Sequence, residues 1–183
     1  MAKSEFLLGV ALLMAETLGS TQQPHVQERL AELMVHTEVI KACLRASEAD
    51  AKLDERGVMC PAALPLEAVR TLFMNVYPRM VEILQLLGSS SFMLIPSEAD
   101  FKGPLRPEIE RYLATDTTPA RERVKLFRLA WDIACSAFGG RQELYERFFA
   151  GDPLSRAQFL YKLYPKEGLM GHIREFLERE DHA

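Results

Sequence analysis

Two glycines followed at once by an arginine, in Phe138-Gly139-Gly140-Arg141, form the combination in this sequence best suited to hold an anion. A glycine just past a helix end takes positive φ without a Cβ clash, so the chain can turn sharply there. Val124, Phe127, Trp131, Ala134 and Phe138 recur at three- and four-residue steps and predict one helical face running up to the glycines. Gln142 to Phe149 has helix-forming composition. The expected product is a corner with a guanidinium beside the free N–H groups of a new helix, a physically sound phosphate or anion site. The same residues also suit a plain tight corner in which Arg141 is solvated or pairs with a glutamate. No other motif offers comparable chemistry. GxGxxG, P-loop, HExxH and GxSxG patterns are absent from the sequence. Cys43, Cys60 and Cys135 lack metal-ligand spacing, and Cys135 reads as a small core residue. His172 and His182 read as surface residues.

The elements that must position the corner are helical. Phe6 to Met14, in a helix that starts near Lys3, is apolar nearly all round, through Leu7, Leu8, Val10, Leu12, Leu13 and Met14, and is expected at the centre of a bundle. Pro24 opens a second helix, unbroken to about Arg56, with a seam of Val26, Leu30, Leu33, Thr37, Ile40 and Leu44. Val58 to Leu64 reads as a loop. A third helix from about Pro65 to Leu87 carries Val69, Phe73, Val76, Met80, Ile83 and Leu87, and this seam continues through Pro78. Gly88 ends it, and Ser89-Ser90-Ser91 reads as a polar loop. Phe92 to Ile95 is expected as a buried extended segment, and Arg106 to Leu113 as a short amphipathic helix. Pro119 opens the helix that leads to the corner. Beyond it, Asp152 is a candidate cap, and Phe159, Leu160 and Leu163 are expected to point inward. Ile173, Phe176 and Leu177 mark a last helix. The fold class is all-α, an up-and-down bundle, with residues 1–183 as one domain.

The 183 residues suffice for a sizeable core, and the 48% apolar content is ordinary for a globular chain. The net charge of -4, from 22 basic and 26 acidic residues, argues against general nucleic-acid binding. The apolar run Phe6 to Met14 is too short to span a membrane. Three cysteines without a pairing pattern point to a reducing, cytoplasmic setting.

The run Ser-Ala-Phe-Gly-Gly-Arg-Gln-Glu-Leu-Tyr-Glu-Arg-Phe-Phe-Ala-Gly-Asp-Pro, residues 136–153, resembles the C-terminal signature of the 4-hydroxyphenylacetate 3-monooxygenase family. The likeness is strongest from about Glu67 to Pro153 and extends to the first few residues. It implies the helical architecture of acyl-CoA dehydrogenase-like flavoenzymes. It also implies FAD as cofactor, reduced by a separate flavin reductase, and hydroxylation of a phenol ortho to its hydroxyl group. The resemblance places Phe138, Gly139, Gly140 and Arg141 against the flavin, and implies that Ser89 and Ser90, in a loop that approaches the active site, are cofactor-binding as well. It places the phenol-binding and oxygen-activating residues in preceding regions, so no catalytic residue and no metal ligand is assigned within this chain. Met1 is then expected to open a C-terminal portion of a longer oxygenase. Expected partners are the missing N-terminal part, the reductase and further copies of the chain, as a dimer or tetramer. Two alternatives stand beside this reading: a non-catalytic helical assembly module, and a portion of an enzyme like the 4-hydroxybutyryl-CoA dehydratases.

Overall fold

A computed structural model describes residues 1–180. Eight α-helices follow in order among them: α1 (Ala2–Thr17), α2 (Pro24–Ala49), α3 (Ala63–Gly88), α4 (Arg106–Leu113), α5 (Ala120–Ala134), α6 (Ala137–Phe148), α7 (Pro153–Leu163) and α8 (Lys166–Glu180). This is the expected all-α bundle. The two long seams pack as predicted. Val26, Leu30, Leu33, Thr37 and Ile40 of α2 are buried, as are Val69, Val76, Met80, Ile83 and Leu87 of α3. The α3 helix runs unbroken through Pro78.

The hub is α3 rather than α1. It packs against α1, α2, α5, α6 and α7. It can do so because Met74, Tyr77, Val81 and Leu84 extend its buried surface beyond a single stripe. The first helix buries Leu7, Val10, Ala11, Met14 and Ala15, but Phe6, Leu12 and Leu13 on its other side are exposed. A fork-to-fork ion pair fixes α2 to α3: Arg79 Nε and Nη2 donate to the two Glu32 carboxylate oxygens at 2.7 and 2.8 Å. These bonds hold the Glu32 carboxyl below its ordinary pKa.

Three local expectations are corrected. The second helix stops at Ala49, not near Arg56, because a small antiparallel hairpin follows, β1 (Lys52–Leu53) with β2 (Met59–Cys60). Asp54 builds its turn by accepting from the Arg56 and Val58 N–H groups, both at 2.9 Å, and Gly57 supplies a φ of +77°. The segment after α3 is not extended. Ser89–Phe92 is a 3-10 turn, and while Phe92 is buried, Met93 and Leu94 are exposed. Finally, Phe159 and Leu163 of α7 do not reach the core and remain exposed, as do Leu144 and Phe148 of α6 and Phe149 just after it. Asp152 does cap α7, accepting from the Ser155 N–H at 3.0 Å. The Ile173, Phe176 and Leu177 side chains of α8 are exposed, and so is His172. His182 lies outside the described residues.

Candidate flavin-facing junction

The junction between α5 and α6 lies three residues before the expected corner. The α5 helix ends at Ala134, and Ser136 caps α6. The Ser136 hydroxyl donates to the Asp132 carbonyl at 2.7 Å and accepts from the Gly139 N–H at 3.1 Å. Its carbonyl accepts from the Gly140 N–H at 3.0 Å. Gly139 and Gly140 therefore belong to the first turn of α6 and stop no helix, and neither has positive φ. Serine is a standard N-cap, but the position three residues on holds glycine rather than the Glu or Gln of a capping box.

The two glycines have different reasons to be there. A Cβ on Gly139 would stand 2.3 Å from the Ile133 carbonyl oxygen and 2.8 Å from that of Asp132. The start of α6 is thus pressed onto the end of α5 at a distance only glycine allows. A Cβ on Gly140 would meet nothing within 4 Å. The Gln85 side chain locks the same junction to α3 by donating to the Ala134 carbonyl at 2.6 Å.

Phe138 is 57% exposed and Arg141 is exposed. The Ala137 and Phe138 N–H groups have no intrahelical acceptor, as at any helix start, and carry the positive end of the α6 dipole. Phe138 and Gly139 line a half-open cavity of about 140 Å³ with Lys3, Phe6, Leu7, Tyr77, Ile133 and Gln142. In its wall Lys3 donates to Gln142 Oε1 at 3.0 Å, and it also pairs with Glu146, which is only 6% exposed. Burial, followed by the negative charges of Glu146 and Glu143, pushes the Tyr77 hydroxyl pKa up. Lys3, Gln142 and Glu146 escape a sequence reading because their cluster joins residues more than 130 positions apart.

Ser89 and Ser90 stand elsewhere. Both are exposed at the end of α3, and Ser89 takes a φ of 45°. Ser90 lines a second cavity that has no lining residue in common with the first. Edge-on contacts of Phe92 with Phe127 and Trp131 hold the turn against α5, with ring centroids 5.9 and 6.2 Å apart. Cys135 is exposed at the junction rather than in the core, and partial desolvation pushes its thiol pKa up, away from nucleophilic reactivity. Among the described residues there is no cluster of three or more His, Cys, Asp or Glu side chains placed to hold a metal, and no helix long and apolar enough to cross a membrane.

At the start of α6, Phe138, Gly140 and Arg141 are exposed, while Gly139 is buried against α5. The fold and junction define a helical-bundle domain. The chain belongs to the family described as 4-hydroxyphenylacetate 3-hydroxylase C terminal, whose profile matches residues 1–178. It is 48% identical over 177 residues to the 4-hydroxyphenylacetate 3-monooxygenase oxygenase component of Thermus thermophilus, covering 97% of this chain and 37% of that protein. The chain thus spans 37% of the length of this relative and of the Bacillus subtilis probable 4-hydroxyphenylacetate 3-monooxygenase, to which it is 45% identical over 180 residues. A crystal structure of the HpaB oxygenase component complexed with FAD superposes with a TM-score of 0.94 at 47% identity, over 98% of this chain and 38% of that one. A 4-hydroxybutyryl-CoA dehydratase from N. maritimus shares the fold, with a TM-score of 0.83 at 18% identity over 96% of this chain and 35% of that one.

Proposed function

We propose that residues 1–183 act as the C-terminal helical domain of a two-component, FADH2-dependent phenol ortho-hydroxylase, supplying one wall of its flavin site and its subunit-assembly surface. The observation that carries this reading is the family match over residues 1–178 together with a 47%-identical relative crystallised with FAD. The residues at the start of α6 fit such a cofactor. Two free backbone N–H groups and the Arg141 guanidinium favour its anionic portions. The exposed Phe138 ring offers an apolar face. Gly140 leaves open space where the backbone can approach a ligand closely. Gly139 sets the position of all three by holding α6 against α5. Ser89 and Ser90 enter the proposal more narrowly, as exposed hydroxyls at the end of α3.

FAD, once reduced by the reductase, would supply the redox chemistry. The role of this chain is to bind and orient it. The phenol site and the groups that move protons belong to the remaining part of the oxygenase. That part and further copies of this chain are the expected structural partners. Assembly as a dimer or tetramer follows from the apolar surface left uncovered on α1, α6, α7 and α8.

The test is a chimera in which residues 1–178 replace the matching portion of the Thermus thermophilus oxygenase component. The expected result is a folded protein that retains FAD and, with a reductase, hydroxylates 4-hydroxyphenylacetate. A folded, assembled chimera unable to retain FAD would reduce the chain to an assembly module.

A further inference from the structure

The second cavity has a chemistry that the flavin reading leaves unused. It measures about 110 Å³ and opens to solvent beside the 3-10 turn that follows α3. Six apolar residues, Leu94, Ile95, Pro96, Leu113, Val124 and Phe127, make most of its wall, and its polar members are Ser90, Ser91 and Arg123. Arg123 is the unusual one. It has no carboxylate within ion-pair distance among the described residues. Its Nη1 donates to the Leu113 carbonyl at 3.3 Å and its Nη2 to the Ser91 hydroxyl at 3.4 Å, both long. Both acceptors come from residues that also line the cavity, so the guanidinium lies along its wall. The guanidinium carbon sits 5.5 Å from the centroid of the Phe127 ring, which is one of the apolar lining residues. A guanidinium has five N–H donors, so two such bonds leave three for a ligand.

We infer that this cavity binds a small organic carboxylate, with the carboxylate on Arg123 and Ser91 and a compact apolar body over Phe127, Leu94 and Ile95. The lining selects this class. A bare phosphate is best held by converging donors, and here two thirds of the lining residues are apolar. A neutral apolar molecule would leave the guanidinium without a counter-charge. Size limits the body to about one ring, since an apolar cavity of ~150 Å³ holds benzene and this one is smaller but open on one side. The site shares no lining residue with the cavity at Phe138 and Gly139, and Ser90 alone among its residues also enters the flavin proposal.

Benzoate is the probe, titrated into the purified chain and followed by backbone amide chemical shifts. The expected result is saturable binding with a Kd on the order of 1 mM, shifts centred on Ser90, Ser91 and Arg123, and loss of roughly tenfold or more in Arg123→Gln. Arg123→Lys, which keeps the charge but not the fork, should fall between the two. Thermal unfolding of each variant separates lost binding from lost fold, and Ser91→Ala serves if Arg123→Gln does not fold. Three controls can overturn the inference. Equal binding of benzyl alcohol would make the cavity a plain apolar pocket. Inorganic phosphate binding as tightly would make it a bare anion site. Displacement of benzoate by FAD would assign it to the cofactor. Absence of benzoate binding at 20-fold above ~1 mM would also end it.

Discussion

Gly139 and Gly140 are neighbours in sequence but opposites in what a methyl group would do to them. At Gly139 the added Cβ would lie 2.3 Å from the Ile133 carbonyl oxygen, an atom of backbone that has little freedom to give way. Gly139→Ala should therefore destabilise the chain by about 1–3 kcal/mol, the range for overpacking, with a lower thermal midpoint. Gly140 is helical and faces open space, so Gly140→Ala should stabilise the chain by about 0.5–1 kcal/mol through helix propensity. In the joined oxygenase the same methyl group would stand where the flavin is proposed to approach. There Gly140→Ala should raise the thermal midpoint yet weaken FAD retention. A stabilised variant with undiminished flavin affinity would count against the flavin wall. Arg141→Ala gives the complementary result. Its side chain is exposed, so its loss should leave thermal unfolding unchanged. In the joined enzyme, losing one charge-assisted contact should cost about 1.5–3 kcal/mol, roughly ten- to a hundredfold in flavin affinity. Equal titration curves for wild type and Arg141→Ala would leave α6 without its proposed ligand.

Among the elements, α6 is held by α5 and α1, and α5 is in turn tied to α3, so that each contact bears on where the α6 N-terminus points. Gly139 seats it on α5, Gln85 ties the end of α5 to α3, and Lys3 joins it to α1. The Lys3–Glu146 contact is asymmetric, with the lysine side chain 46% exposed and the carboxylate nearly buried. Removing Lys3 strands a desolvated charge, whereas removing both partners does not. Lys3→Met should cost roughly 1–3 kcal/mol in urea unfolding, below the range for fully buried pairs because one partner is half in water. Lys3→Met with Glu146→Leu should recover most of that loss. An additive double mutant would show that the two side chains do not communicate.

For the whole molecule, two properties follow from a domain that presents walls rather than an enclosed site. FAD titrated into this chain alone should bind weakly or undetectably, and the chain with a reductase should not hydroxylate 4-hydroxyphenylacetate. Measured turnover would contradict that. The second property is assembly. Phe6 and Leu13 on α1, Leu144 and Phe148 on α6, and Ile173 and Phe176 on α8 are all exposed. A monomer with so many large apolar side chains in water tends to find partners. Light scattering at micromolar concentration should report a dimer or tetramer, and a strict monomer at every concentration would remove assembly from the proposed role.

Periodicity alone determined the helices whose seams are long. The four-and-three steps of Val26 to Ile40 and of Val69 to Leu87 can satisfy burial only as helical faces, and both faces are buried. The residue run from Ser136 to Pro153 likewise carried the family. What sequence could not determine was which punctuation the chain obeys. Gly139-Gly140 read as a stop signal, whereas the chain begins the new helix at the Ser136 cap three residues earlier, and the choice fell to packing. A helix beginning at Ala137 places a residue without a side chain against the Ile133 carbonyl, whereas a corner at the glycines would not use that contact. Tertiary structure also decided which cations stand near which anions. Lys3 and Glu146 meet across 143 positions, and Arg123 lies on an apolar cavity instead of a carboxylate. No local spacing encodes such pairings, because they depend on how the helices sum their angles around α3.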